Sequence, residues 1–362
     1  MMSSPTFRPD LDTIPRYVPG KPIEEVAREF GLTSIDKLAS NENPTEPFPA
    51  VVEAIADAAH LVNRYPDSAS YDLTQQLADF HGVAPETIWV GAGSSEVLRC
   101  TALSVGGPGT SAVYANPSFV MYVIGTRLSG ADTNPVPLGD NLDHDLDAML
   151  AAIRDDTTVV YVCNPNNPTG GIRSGADVRA FIDEVPERIT VVVDEAYAEY
   201  VTDDRYESLL AEAPGRANVL VARTFSKIYG LAGLRIGFGV GNPALIDKLR
   251  TTQAPFSVSA VSQAAASEAL RHQDDVEQRR KDNAIGRITM TEGLTDLGYR
   301  VAPSQANFVY FETRDAQALT DGLLQVGVIV RPFGEAIRVS VGTSDENARF
   351  LKEIAALGAG HA

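Results

Sequence analysis

Cysteine is almost missing from this 362-residue chain, which holds only Cys100 and Cys163. Two cysteines cannot build a disulfide framework, and neither falls in a CxxC or zinc-type spacing, so the fold has to rest on a hydrophobic core. No run approaches the roughly 20 apolar residues that span a bilayer. The N-terminal stretch MMSSPTFRPDLDTIPRYVPGK has no apolar core of a secretion signal, so a cytoplasmic setting is expected. Positive charge is scarce: 30 Lys and Arg stand against 48 Asp and Glu, a net charge of −18. Nucleic acid is thereby excluded as the main partner, because phosphate backbones need a basic stripe, and no terminus carries a basic DNA-binding module. Internal repeats and low-complexity segments are absent too.

What is present is ordinary in bulk, with 44% hydrophobic and 22% charged residues. A chain this long holds one large core or two domains. TIWVGAG (87–93), SAVYANPSF (111–119), TTVVYVCNPNNPTG (157–170), ITVVVDEAYAEY (189–200), NVLVARTFSK (218–227) and LRIGFGVG (234–241) read as strands. SSEVLRCTALSV (94–105) and SGADVRAFIDEV read as helices between them. Such alternation predicts an α/β fold with a mostly parallel sheet covered on both faces. Beyond about residue 255 long polar helices precede NFVYFET, GVIVRPF and AIRVSVG, the pattern of a smaller α+β unit. The expected division is a large domain over 46–254 and a small one from 1–45 plus 255–362.

Open α/β sheets bind ligands beyond the carboxyl ends of their strands, where several polar residues collect. In ARTFSKIYGLAGLRIGFGV (222–240), Lys227 lies between an apolar strand and a glycine-rich turn. Most lysines are solvated surface groups, but desolvation among small residues lowers the pKa and frees an amine able to form a Schiff base. Asp194 ends the run TVVV; it is either an acid turned to solvent or a buried carboxylate for a protonated pyridine nitrogen, with Tyr197 three residues on. CNPNNPTGG (163–171) is a plain turn or a device that aims the Asn167 amide, since Pro168 holds that residue extended. GAGSSE (91–96) joins strand to helix, a weak signal for an anion site, with Thr224, Ser226 and Arg235 as further phosphate partners. Arg331 and Arg338 flank a late turn and are either solvated or a bidentate grip on an anionic substrate.

The ordered combination resembles the fold-type I pyridoxal 5'-phosphate (PLP) aminotransferases, and within them the histidinol-phosphate aminotransferase family. The likeness runs through RYVPGKPIEEVAREFGL, KLASNENP, NRYPD, GAGSSE, HDLDAMLAAI, CNPNNPTG, VVVDEAYAEY, RTFSKIYGLAGLRIGFG, APFSVS, PSQANFVYF and IRVSVGT. It implies that Lys227 carries PLP and moves the substrate proton, that Asp194 binds the ring nitrogen, and that Asn167 and Tyr197 bind the phenolate oxygen. Phe119 would stack on the ring, where many relatives have tyrosine. Ala92, Gly93, Ser94, Thr224, Ser226 and Arg235 would hold the phosphate, and Tyr65 would reach the phosphate of a neighbouring subunit in a homodimer. Tyr17, Asn43, Arg331 and Arg338 would meet the substrate. The implied reaction passes nitrogen from glutamate to an oxo acid, either imidazole-acetol phosphate in histidine biosynthesis or an aromatic oxo acid. Two departures stand out. NENPTEP replaces the usual NENPYG and sets Thr45 and Glu46 near the expected pocket mouth, and the segment between Arg331 and Arg338 is short.

Overall fold

Valine-rich runs, buried on both faces, make the centre of the molecule. The computed structural model describes residues 7–17 and 20–358. Its largest sheet is built from β2 (Ile88–Gly91), β3 (Ser111–Asn116), β4 (Asp132–Pro137), β5 (Thr157–Cys163), β6 (Thr190–Asp194), β7 (Val219–Thr224) and β8 (Gly237–Gly241). They lie in the order β2-β8-β7-β6-β5-β3-β4; β8 is antiparallel to both neighbours and every other pair is parallel. Successive side chains of a strand point to opposite faces. Val191 and Val193 therefore pack with Phe181 and Ile182 of the helix Gly175–Glu184. Val192 packs on the other side with Trp89, with Leu98 of the helix Ser94–Val105 and with Tyr122 of the helix Met121–Ser129. This is the α/β fold with a mostly parallel sheet that the sequence predicts.

A second sheet of order β12-β13-β10-β9 uses β9 (Arg300–Val301), β10 (Phe308–Glu312), β12 (Arg331–Pro332) and β13 (Ala336–Ser340), all antiparallel. Its core joins Val309, Phe311, Ile337 and Val339 to Phe350 and Ile354 of the helix Ser344–Gly358. Near the other end of the chain, β1 (Asp36–Lys37) pairs in parallel with β11 (Val328–Ile329), and Leu38 enters that same core. The backbone of Ser340 donates to the Leu38 carbonyl at 2.7 Å, so residues 37–43 are led along the edge of the small sheet.

Strand ends differ from the sequence expectations in a consistent way. The strand at 111 stops at Asn116 before Pro117, which has no amide to donate, and the strand at 190 stops at Asp194 before a turn and a short 3-10 helix. GVIVRPF divides into β11 and β12 around Val330. The long polar stretch after 259 is two helices, Ala260–Ala269 and Gln273–Asp296. Strand β4 was not foreseen, because its sequence DTNPVP carries prolines at 135 and 137. Proline is confined to sheet edges, and β4 is an edge strand.

One close approach holds the large sheet to the helix that starts at Ser94. A Cβ on Gly237 would lie 2.5 Å from the Ser94 amide nitrogen and 2.6 Å from the Arg223 carbonyl oxygen, both main-chain atoms that cannot swing aside. Gly237→Ala should therefore cost about 3 kcal/mol in urea unfolding. Gly215→Ala, where a Cβ meets nothing within 4 Å, should leave the midpoint close to its original value.

Candidate active site

The carboxyl ends of β3, β5, β6 and β7 open onto a cavity of about 710 Å³ that the small sheet closes from the other side. Because β8 runs antiparallel, its amino end lies at the same edge, and Arg235, two residues before β8, is brought there with Lys227. The turn carrying Lys227 is closed by a bond from the Gly230 amide to the Lys227 carbonyl at 3.0 Å, with Gly230 at φ +73°. Lys227 Nζ donates to the Asn41 carbonyl at 3.3 Å and lies 5.5 Å from the centre of the Tyr197 ring. Part of its surface faces the cavity and the rest is wrapped by protein. Burial first, then the Arg338 charge, brings its pKa down to about 8.

Asp194, at the end of the adjacent strand β6, also lines the cavity and is buried, 1% exposed. Its Oδ2 accepts the Tyr122 hydroxyl at 2.8 Å and its Oδ1 accepts the Ala196 amide at 3.2 Å. Burial pushes its pKa up to about 6, while those two bonds and the Lys227 charge act against the rise. The next residue turns the other way. Glu195 accepts from Arg223 Nε at 2.9 Å, and Arg223 also meets Glu199 at 2.8 Å and Ser208 at 2.8 Å. Arg223 is on β7 and Glu195 follows β6, so this buried ion pair staples together the two strand ends that carry Lys227 and Asp194.

Two adjacent asparagines divide the work of the proline turn. Asn166 accepts from Ser118 at 2.7 Å and donates to Thr169 at 2.9 Å, tying this loop to the one that carries Phe119. Asn167 faces the cavity and accepts from Arg338, whose other terminal nitrogen donates to the Ala39 carbonyl at 2.7 Å. Burial pulls the Arg338 pKa down to about 10, which leaves it a cation at neutral pH. Arg331 is its direct cross-strand partner, and the Arg331 guanidinium lies 5.9 Å from the Tyr17 ring.

Helix Ser94–Val105 starts after Gly93, at φ +79°, with no side chain capping its first amides. A Cβ on Gly93 would meet the Arg235 guanidinium at 3.0 Å, so the turn and the cation are in contact. Ser94, Ser226 and Thr224 line the cavity, but the Thr224 hydroxyl is engaged with main chain, accepting from the Ser226 amide at 3.1 Å.

Four expected site residues are absent from the cavity lining: Gly93, which adjoins Ser94 and meets Arg235, and three others. Ala92 is outside the cavity lining and its amide donates to Glu96 Oε2 at 2.7 Å, so it has no donor left for a ligand. Asn43 also stays outside: its side chain donates to the Ile228 carbonyl at 3.1 Å and accepts from Thr45 at 2.8 Å, bracing the Lys227 turn from behind. Tyr65 is 82% exposed, stacked on Phe256 at 4.6 Å, away from the cavity of its own chain. Glu46 does not line the cavity; it is exposed and its carbonyl bonds Arg279.

Other lining residues escaped the sequence reading: Arg16, Ser95, the Lys37–Glu42 ion pair at 2.9 Å, and Asn41. Asn41 sits at φ +53°, a region asparagine tolerates, and donates to the Tyr197 hydroxyl at 2.9 Å. With that oxygen accepting from Asn41, the Tyr197 proton is free to point at a ligand. The repeated asparagines of KLASNENP marked the segment, but only the fold shows which one reaches Tyr197. In sum, six cations (Arg16, Lys37, Lys227, Arg235, Arg331, Arg338) face two carboxylates, Glu42 and Asp194, in a chain of net charge −18.

The profile of the family described as aminotransferase class I and II matches residues 34–354. The chain belongs to the class I and II aminotransferases. Among curated members of this aminotransferase family, it is 42% identical to the histidinol-phosphate aminotransferase of Moorella thermoacetica, covering 97% of this chain and 92% of that one. It is 43% identical to the aromatic amino acid aminotransferase of Streptomyces coelicolor, covering 97% of each. Among solved structures, the histidinol-phosphate aminotransferase of Sinorhizobium meliloti in complex with PLP superposes with a TM-score of 0.90 at 30% identity, covering 99% of each chain. No helix among the described residues is long and apolar enough to cross a membrane.

The depressed Lys227 pKa has a stability consequence in this aminotransferase chain without cofactor. Below about pH 8 the amine is protonated in both folded and unfolded states, and burying that charge costs stability. Between pH 8 and the ordinary lysine value of 10.5 the unfolded chain holds a proton that the folded chain has lost, so the penalty fades as pH rises. Lys227→Met should therefore melt above the wild type at neutral pH, and the gap should shrink across that window. A gap independent of pH would contradict the desolvated amine.

Proposed function

We propose that this chain is a PLP-dependent aminotransferase, and that its acceptor is imidazole-acetol phosphate, yielding histidinol phosphate with glutamate as donor. One observation carries the reading: an amine of lowered pKa and a buried carboxylate line one cavity whose remaining charge is strongly positive. The residues fit PLP. The uncapped helix start at Gly93–Ser95, with Ser226 and Arg235 beside it, suits a phosphate, and no Cβ intrudes at Gly93. Phe119 offers a ring for stacking, and Asp194 an acceptor for the ring nitrogen. Asn167 and Tyr197 offer donors for the phenolate oxygen.

When bound, PLP supplies an electron-poor ring that takes up the charge left as an amino acid loses its α-proton. Asp194 keeps the ring nitrogen protonated only while the carboxylate is ionised, which it is above about pH 6. Lys227 Nζ, half deprotonated at about pH 8, takes the α-proton and returns it, a role worth typically 10² to 10⁴-fold. Arg338 holds the substrate carboxylate or phosphate end through its planar fork. Arg331, Arg16 and Tyr17 extend the cationic wall toward the mouth, where a second anionic group of a phosphorylated substrate fits. With Glu46 turned outward, no acid from the NENPTEP departure opposes that group.

A second acceptor class, aromatic oxo acids, is favoured by the rings of Tyr17, Phe119 and Phe333 along the wall and by the Streptomyces relative. The reading includes a homodimer, supported by the exposed Tyr65–Phe256 stack, with Tyr65 serving the neighbouring phosphate. It also includes a large unit over 46–254 and a small one from 1–45 plus 255–362, in a cytoplasmic setting suited to two unpaired cysteines.

With glutamate as donor, kcat/KM for imidazole-acetol phosphate should exceed that for phenylpyruvate by about tenfold or more, about the 1.4 kcal/mol that one added anion contact supplies. The reverse order would transfer the assignment to the aromatic class. Lys227→Ala should lose both turnover and the borohydride-fixable attachment of PLP to the chain; retention of either refutes the role of the amine.

A further inference from the structure

We infer that Tyr122 is a positioning residue for this chemistry: its hydroxyl, donated to Asp194 Oδ2 at 2.8 Å, fixes and charges the carboxylate that receives the cofactor's ring nitrogen. The inference rests on the reading of the cavity as a PLP site. Tyr122 itself is outside the cavity lining, one layer behind it, 1% exposed in the first turn of the helix Met121–Ser129.

Three features make its hydroxyl more than a filler. First, among the described residues it is the one side chain that hydrogen-bonds Asp194, whose other contact is the Ala196 amide. Together the two donors take one lone pair on each oxygen and so set the plane of the carboxylate. Second, the phenol cannot turn away. Its ring stacks on Tyr161 with centres 4.6 Å apart and 12° between planes, and meets Phe119 edge-on at 5.8 Å. Third, Phe119 lines the cavity where the cofactor ring would lie, so the clamped Tyr122 touches both the stacking residue and the carboxylate.

The chemistry requires an ionised Asp194. The titratable groups that act on it are Tyr122, Tyr197, the buried Cys163 thiol, Lys227 and, from the far side of the strand end, Glu195, and only Lys227 brings positive charge. Burial favours the neutral acid. A hydroxyl donor to the anion opposes that, and hydrogen bonds to charged acceptors are stronger than those between neutral groups. Without the hydroxyl, Asp194 would keep its proton to higher pH and a ring nitrogen would meet a neutral acid.

The test is PLP titration of the apoprotein, followed by absorbance from about pH 5 to 8, for wild type, Tyr122→Phe and Tyr161→Phe. Tyr122→Phe keeps the ring and the stack; Tyr161→Phe removes a hydroxyl from the same stacked pair that does not touch Asp194. Melting curves verify that both variants fold. Tyr122→Phe should weaken PLP about tenfold near pH 7.5 and move the acid limit of uptake up by about one pH unit, while Tyr161→Phe changes affinity less than about twofold. Equal affinity and an unmoved acid limit for Tyr122→Phe would overturn the inference alone, as would equal weakening in both variants, which would mark packing as the cause. A wild-type chain that takes up no PLP would overturn the reading of the cavity, and this inference with it.

Discussion

Everything in this molecule depends on keeping one amine and one carboxylate out of water, at neighbouring strand ends, without letting them neutralise each other into inertness. Lys227 and Asp194 stand after β7 and at the end of β6, adjacent parallel strands in the middle of the large sheet. Burial moves both pKa values toward the working range, to about 8 and about 6. Removing one member of a buried charged group commonly costs more than the group contributes. The surrounding structure accordingly shows what such an arrangement demands: donors on both Asp194 oxygens, and a carbonyl acceptor at Lys227. Behind them the Arg223–Glu195–Glu199 cluster lies on the far side of the same two strand ends. Alternation along the chain makes that possible, because Asp194 and Glu195 must face opposite ways.

The antiparallel strand β8 is the second requirement. Had it run parallel, Arg235 would lie at the opposite edge, a strand length away from Lys227. Its reversal lets a short turn of glycine and alanine return the chain to the same edge, with Arg235 in the left-handed region at φ +52° and against Gly93. The close contact of Gly237 with main chain at Arg223 and Ser94 then ties β8, β7 and the anion-binding helix start into one rigid corner. A cation, a helix end and an amine converge there with no flexible linker between them.

The small sheet supplies what the large one lacks, a lid with charges of its own. Residues 37–43 run between the two sheets and bond both: Asn41 reaches Tyr197 on one side and Ser340 on the other, while its carbonyl accepts from Lys227 and Asn307. Arg338 bridges in the same manner, from β13 to Asn167 and Ala39. Substrate charge entering this gap would compete for Arg338 with neutral acceptors only, which an anion displaces readily.

Much of this was legible in the chain. Valine runs bounded by turn residues marked the parallel strands, since a strand buried on both faces has no polar alternation to hide it. Lys227, Asp194, Asn167, Tyr197 and Arg235 were marked by unusual local settings at strand ends. What failed to show were residues whose importance comes from contacts made far along the chain. Ala92 sits inside a glycine-rich turn like its neighbours, yet its amide is consumed by Glu96. Asn41 and Asn43 are two positions apart in one motif, and only their backbone angles decide which meets Tyr197. Tyr122, 72 positions from Asp194, has no local signature at all. Local sequence, acting through propensity, burial pattern and turn chemistry, determined the strands, the family likeness and the reactive pair. Which hydrogen-bond donor meets which acceptor was decided by tertiary structure alone, because a bond a few ångströms long depends on where two distant elements are packed.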